Sequence, residues 1–70
     1  MRHELQFVNA QDIQVGDLLV NTAHYIHGEV RRVETSGGNT LIASYHLQHN
    51  VETQEVYQAL ARVMIIRIVP

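Results

Sequence analysis

The chain has 70 residues, no cysteine, and a formal net charge of −2 from five basic and seven acidic residues. This length predicts a single domain, residues 1–70, in which only about 60% of the unfolded chain's surface is buried on folding. The lack of cysteine excludes disulfides, thiolate zinc sites, iron–sulfur clusters and thiol catalysis. All five cations are arginines, too few for the general attraction to nucleic acid that several basic contacts provide.

The sequence contains neither membrane signals nor catalytic motifs. No apolar run approaches the roughly 20 residues that span a bilayer, and residues 1–4 lack the basic-then-apolar order of a signal peptide. We therefore expect a cytoplasmic protein without membrane contact. No phosphate-binding loop or nucleophile elbow occurs, and Asp12 and Asp17 are interpreted as turn-stabilising residues, so we expect no enzymatic activity and no cofactor.

Turn residues divide the first part of the chain. Residues 5–8 are an apolar-rich start, and residues 9–12 are predicted to form a turn. The turn precedes Ile13, whose side chain we expect to close one end of the core. A Gly-Asp turn then leads into a predicted strand at residues 18–22.

A β-hairpin is predicted in the middle of the chain. Residues 36–39 read Ser-Gly-Gly-Asn, and consecutive glycines supply the positive φ angles of a two-residue hairpin turn. In the preceding strand, residues 29–34, the three-residue spacing of Val30 and Val33 predicts a β-bulge if both point inward. The returning strand, residues 40–47, is rich in β-forming residues.

The last third of the chain contains an ambiguous segment and a very apolar one. Residues 51–62 fit a helix or a strand, and we favour a strand followed by one helical turn at residues 58–61. Residues 62–69 carry apolar side chains on both faces of a predicted strand. A domain this small covers both faces of the strand only if a partner or its own N-terminal segment packs on one of them.

The order of these elements resembles the SH3-like small barrels. The residues that carry the resemblance are turn residues and strand valines: Val15, Gly16, Asp17, Gly28, Val30 and Val33. Within that group the pattern is similar to KOW-type modules and to small accessory proteins of bacteria and their phages. The resemblance covers about residues 13–69. It implies an all-β barrel of about five strands with one short helical turn before the last strand.

Four of the five histidines form two matched pairs that are candidate metal ligands: His24, His27, His46 and His49. A two-residue hairpin turn predicts that Glu29 faces His46, which brings both pairs to one end of the hairpin. Three imidazoles with Glu29 would supply ligands that zinc, nickel or copper accept. Since residues three apart on a strand point to opposite faces, our prediction is instead no metal site and hydrogen-bonding surface histidines.

Two interaction functions remain as predictions. KOW-type modules bind RNA or proteins, and the candidate nucleic-acid contacts here are Arg31, Arg32 and Arg67. Because adjacent strand residues point to opposite faces, at most one of Arg31 and Arg32 is expected to join a basic strip. The chain also departs from KOW-type modules in having no lysine. Nucleic-acid binding, to RNA or DNA, is therefore the alternative hypothesis.

A protein partner is the preferred hypothesis. The residues predicted to bind it lie on the last strand and at two tyrosines: Met64, Ile66, Ile68, Tyr45 and Tyr57. Self-association is the simplest outcome, because it adds buried area to a chain that is short of it. The sequence therefore predicts a non-catalytic protein-interaction module that forms a homo-oligomer, an accessory or regulatory protein of bacterial or phage type.

Overall fold

The computed structural model describes residues 2–21, 26–46 and 50–70. These residues form six strands and one 3₁₀ helix: β1 (Arg2–Asn9), η1 (Ala10–Asp12), β2 (Leu18–Asn21), β3 (Ile26–Ser36), β4 (Asn39–His46), β5 (Val51–Gln58) and β6 (Arg62–Val69). The strands make one antiparallel sheet in the order β1-β6-β2-β3-β4-β5. The described part of the chain is therefore all-β, as predicted.

Two details of the predicted architecture are wrong. The apolar start of the chain is a full strand, β1, so the sheet has six strands rather than about five. The helical turn lies at Ala10–Asp12, before β2, rather than at residues 58–61 before the last strand. Residues 58–61 instead make one hydrogen-bonded turn that is not part of a helix, in which the Ala61 N–H donates to the Gln58 carbonyl at 3.0 Å. The Ala59 N–H also donates to the Gly38 carbonyl at 2.9 Å, and the Ala59 and Ala61 carbonyls accept from η1.

The predicted hairpin and bulge are confirmed. Gly37 and Gly38 connect β3 to β4 with φ angles of +60° and +82°. The register of β3 against β4 shifts between Val30 and Arg32. Val30 is fully buried, and Val33 packs against the same core. The bulge thus allows two valines three residues apart to point to one face.

The sheet is curved, because the chain passes from β5 to β6 through only three residues. Four strand spacings separate β5 from β6, a distance of roughly 19 Å in a flat sheet. The chain from Gln58 to Arg62 spans at most about 14 Å. The sheet therefore curls until the end of β5 approaches the start of β6, and η1 is hydrogen-bonded to this junction.

One face of the curled sheet carries the hydrophobic core. The core comprises buried aliphatic side chains from η1, its flank and four strands: Ala10, Ile13, Leu19, Val30, Ile42, Val63 and Ile65. The predicted burial of Ile13 is confirmed. We call this face the inner face, and the opposite one the outer face.

A mostly buried ion pair joins the last strand to the turn before β2. Arg67 Nε and Nη2 donate to Asp17 Oδ1 and Oδ2 at 3.0 and 2.8 Å. Their side chains are 20% and 4% exposed, respectively. Asp17 Oδ2 also accepts from the Gln14 N–H at 2.9 Å, which confirms its predicted role in stabilising the turn. The hydrogen bond to Asp17 raises the pKa of Arg67 above its ordinary value.

Replacing Asp17 by alanine is expected to lower the free energy of unfolding by about 2–4 kcal/mol, because Arg67 then stays mostly buried without its partner. The matched control is Glu34→Ala, which breaks an exposed pair of 3.6 Å with Arg32. Glu34→Ala is expected to lower the free energy of unfolding by less than about 0.5 kcal/mol. Urea unfolding of both variants measures the difference. Equal effects would show that the buried pair stabilises no more than a surface pair.

Candidate functional site

The outer face of β1, β6 and β2 has an apolar centre, with the polar residues His3, Asn9 and Arg62 toward its ends. Seven side chains share it: Leu5, Phe7, Leu18, Val20, Met64, Ile66 and Ile68. The strand registers place them side by side, since Ile66 pairs with both Leu5 and Leu18, and Met64 pairs with Phe7. Residues two apart on each strand point to the same face. We call these seven residues the outer apolar face.

Much of the outer apolar face is exposed to water. Leu5, Phe7 and Ile68 are 61%, 60% and 49% exposed, and the other four residues are half-buried. Each of the three most exposed side chains leaves on the order of 100 Å² in water. A contiguous apolar patch of a few hundred Å² is about the size of the largest patch on an ordinary monomer, and such a patch often binds a partner.

The structure brings together three of the predicted partner-binding residues, Met64, Ile66 and Ile68. It adds four residues that were not predicted to belong to the site: Leu5 and Phe7 of β1, and Leu18 and Val20 of β2. The signal was present as the alternation of apolar Leu5 and Phe7 with polar neighbours, which is typical of a strand with one apolar face.

Tyr45 also lies on the outer face, beside the outer apolar face. A cross-strand row runs from Leu18 through Glu29 to Tyr45. The Arg31 guanidinium lies 5.1 Å from the centre of the Tyr45 ring. The Tyr45 hydroxyl donates to Asn50 Oδ1 at 2.9 Å. Tyr45 is therefore part of a polar rim next to the apolar residues.

Tyr57 lies on the inner face, away from the other predicted partner-binding residues. It pairs with Thr40, packs against the core, and donates a hydrogen bond from its hydroxyl to the Glu55 carboxylate. Burial, together with the hydrogen bond and the negative charge of Glu55, raises the pKa of Tyr57 above its ordinary value. Tyr57 and Tyr45 thus do not form one aromatic surface.

The raised pKa of Tyr57 predicts a loss of stability above about pH 10, the ordinary pKa of tyrosine. Below that pH the protonated Tyr57 contributes fully to the free energy of unfolding, and this contribution is lost as the pH rises through the higher pKa of Tyr57 in the folded state. Urea unfolding at several pH values from about 8 to 11 measures this loss. Tyr57→Phe is the control and should lose less stability over the same range. Identical pH profiles for the two chains would contradict the assignment.

The bulge in β3 overturns the register on which the metal hypothesis depended. Glu29 pairs with Tyr45 rather than His46, because the extra residue shifts every partner beyond it by one. Glu29 therefore lies on the outer face and His46 on the inner face. The metal-ligand candidates His24 and His49 lie outside the described residues, and so does the side chain of His27. Among the described residues no group of three His, Asp or Glu side chains is placed to hold a metal ion.

His46 packs closely against the backbone of β3. A Cβ at Gly28 would lie 2.9 Å from both His46 Cε1 and Ser44 Oγ. Thr53 Oγ1 is 3.1 Å from both His46 Nε2 and Ser44 Oγ. Within the described part of the chain, His46 Nδ1 is buried without a hydrogen-bond partner. The contacts described for His46 are thus packing and hydrogen bonding at one end of the hairpin.

We expect Gly28→Ala to lower the free energy of unfolding by about 1–3 kcal/mol, since the added methyl group overlaps His46 and Ser44. In a His46→Ala background Gly28→Ala should lower the free energy of unfolding by less, because the overlap with the His46 ring is removed. Chemical denaturation of the four chains of this double-mutant cycle gives the coupling. Strict additivity would show that the His46 ring does not require a glycine at this position.

The arginines of the nucleic-acid hypothesis are engaged in ion pairs. Arg31 lies 3.5 Å from Glu29 and Arg32 lies 3.6 Å from Glu34, while Arg67 is mostly buried in its own ion pair. The bulge resets the alternation of β3, so both Arg31 and Arg32 are exposed, which strict strand alternation does not predict. Nearby carboxylates nevertheless offset the charge that phosphate binding needs. Nucleic-acid binding stays an untested prediction.

Comparison of the chain with protein-family models, curated proteins and solved structures gave no significant match. In the residues that the structure describes, no helix is long and apolar enough to cross a membrane.

Proposed function

We propose that this chain is an SH3-like small barrel that serves as a non-catalytic, cytoplasmic protein-interaction module and self-associates through the outer apolar face. The curl of the sheet and the glycine hairpin support the barrel architecture. The observation that carries the functional proposal is the exposure of Leu5, Phe7 and Ile68 beside four half-buried apolar neighbours.

The area of the outer apolar face favours a reversible contact. Burying about 100 Å² on each of three side chains in both copies yields on the order of 15 kcal/mol at about 25 cal/mol per Å². Association itself costs about 4–15 kcal/mol before any side-chain ordering. The surplus lies between about zero and 11 kcal/mol, a range that includes the roughly 8 kcal/mol of a micromolar dissociation constant, so we expect a reversible dimer rather than a permanent complex.

A second copy of the chain suits this face because the seven residues carry no charge. An uncharged apolar patch meets itself without like-charge repulsion or an unpaired buried ion. Symmetric pairing of one patch with itself is also the commonest form of protein oligomer. Self-association also adds buried apolar area, which a domain this small lacks because little of its surface is buried within one chain.

The wild-type chain is expected to change from monomer to dimer over about a hundredfold range of concentration spanning about 1 μM, as measured by light scattering. Phe7→Glu should remain monomeric throughout, because association would bury a carboxylate at the centre of an apolar contact. Phe7 is mostly exposed within one chain, so this variant should keep its fold. Urea unfolding of the variant checks that point.

Val56→Glu is the matched control for Phe7→Glu. Val56 is 67% exposed on the outer face of β5, away from the outer apolar face. The same change from an apolar to an acidic side chain should leave the dimer intact there. A wild-type chain that stays monomeric, or equal dissociation by both substitutions, would refute the proposal.

A further inference from the structure

Two rows of side chains cross the outer apolar face. The first row consists of Leu5, Ile66 and Leu18. The second row consists of the paired residues Phe7 and Met64 together with Val20, which lies two residues after Leu18 on the same face of β2. The rows are separated by two residues along each strand, which is about 6.8 Å.

We infer that the first row of one copy packs on the second row of another copy, about a two-fold axis that runs across the strands. This inference rests on the proposed self-association and specifies its geometry. In this arrangement Leu5 lies against the partner's Phe7, and Ile66 against the partner's Met64. The two sheets then stack face to face at about 10 Å, as aligned sheets do in β-sandwiches.

Charge distinguishes this axis from the other face-to-face arrangement. Arg62 lies on the outer face of β6, two residues before Met64, and is exposed. An axis parallel to β6 would place Arg62 beside the partner's Arg62, a pair of like charges. The axis across the strands places Arg62 instead over the partner's Ile68, where its aliphatic stem covers apolar surface and its charge reaches water.

Edge-to-edge pairing accounts less well for the exposed surface. β1 is an edge strand, so two copies joined through β1 would form a continuous sheet. That contact would leave the side chains of Leu5 and Phe7, which stand perpendicular to the sheet, in water. Face-to-face stacking covers both.

The size of the molecule fits a face-to-face contact. Its dimensions are 32 × 27 × 20 Å, and a standard interface buries roughly 800 Å² per partner, so the contact would extend beyond the seven apolar residues to the polar side chains around them. The outer apolar face would form the centre of this contact, and the polar side chains around Tyr45 would lie toward its rim.

Mixing two oppositely charged variants tests the axis. Phe7→Glu and Leu5→Lys each place a charge on an exposed position of β1, and each should be monomeric alone by light scattering. An equimolar mixture should form a dimer of one chain of each kind, because the new carboxylate lies against the partner's new ammonium group. The dissociation constant of the mixture should be at least about tenfold lower than that of either variant alone.

The control mixture is Phe7→Glu with Val20→Lys, since an axis parallel to β6 would place Phe7 against the partner's Val20. Rescue by Val20→Lys in place of Leu5→Lys would overturn the inferred axis. A wild-type dimer that both single variants dissociate, with no rescue by Leu5→Lys, would overturn the axis and leave self-association standing. A monomeric wild-type chain would overturn both. Urea unfolding confirms that each variant is folded.

Discussion

The strand β6 is apolar on both faces, and the rest of the structure is arranged around this constraint. It lies between β1 and β2, and its inner side chains Val63 and Ile65 belong to the core. On the same face, Arg67 ties the strand to the turn before β2 through Asp17. The opposite face has no core of its own within the described chain. It combines with apolar side chains of β1 and β2 to form the outer apolar face, which is why we assign the interaction function there.

The bulge in β3 has a second, independent influence on the surface. By inserting one residue opposite β4, it turns two valines three residues apart to the inner face and pairs Glu29 with Tyr45. The same insertion exposes Arg31 and Arg32, each close to a glutamate. These pairs neutralise the arginine-rich part of the outer face. The outer apolar face therefore remains the surface with the clearest thermodynamic reason to bind a partner.

The inner and outer faces divide the aromatic and histidine residues into different roles. Tyr57 and His46 lie on the inner face, in contact with the core and with the backbone of Gly28, respectively. Tyr45 lies on the outer face under the Arg31 guanidinium. The two tyrosines, which are equivalent candidates in the sequence, thus have different roles: Tyr57 packs against the core and Tyr45 belongs to a polar rim.

Local sequence patterns by themselves determined the all-β class, the glycine hairpin, the bulge and the two-sided character of residues 62–69. These features follow from backbone sterics and from side-chain alternation over a few residues, so short segments suffice to predict them. The tertiary structure alone decided that β1 joins β6, and that the turn at residues 58–61 is bonded to Gly38 and η1. It also decided which tyrosine faces outward. These outcomes depend on pairings between segments far apart in the chain, and a one-residue change of register moves a side chain to the other face of the sheet.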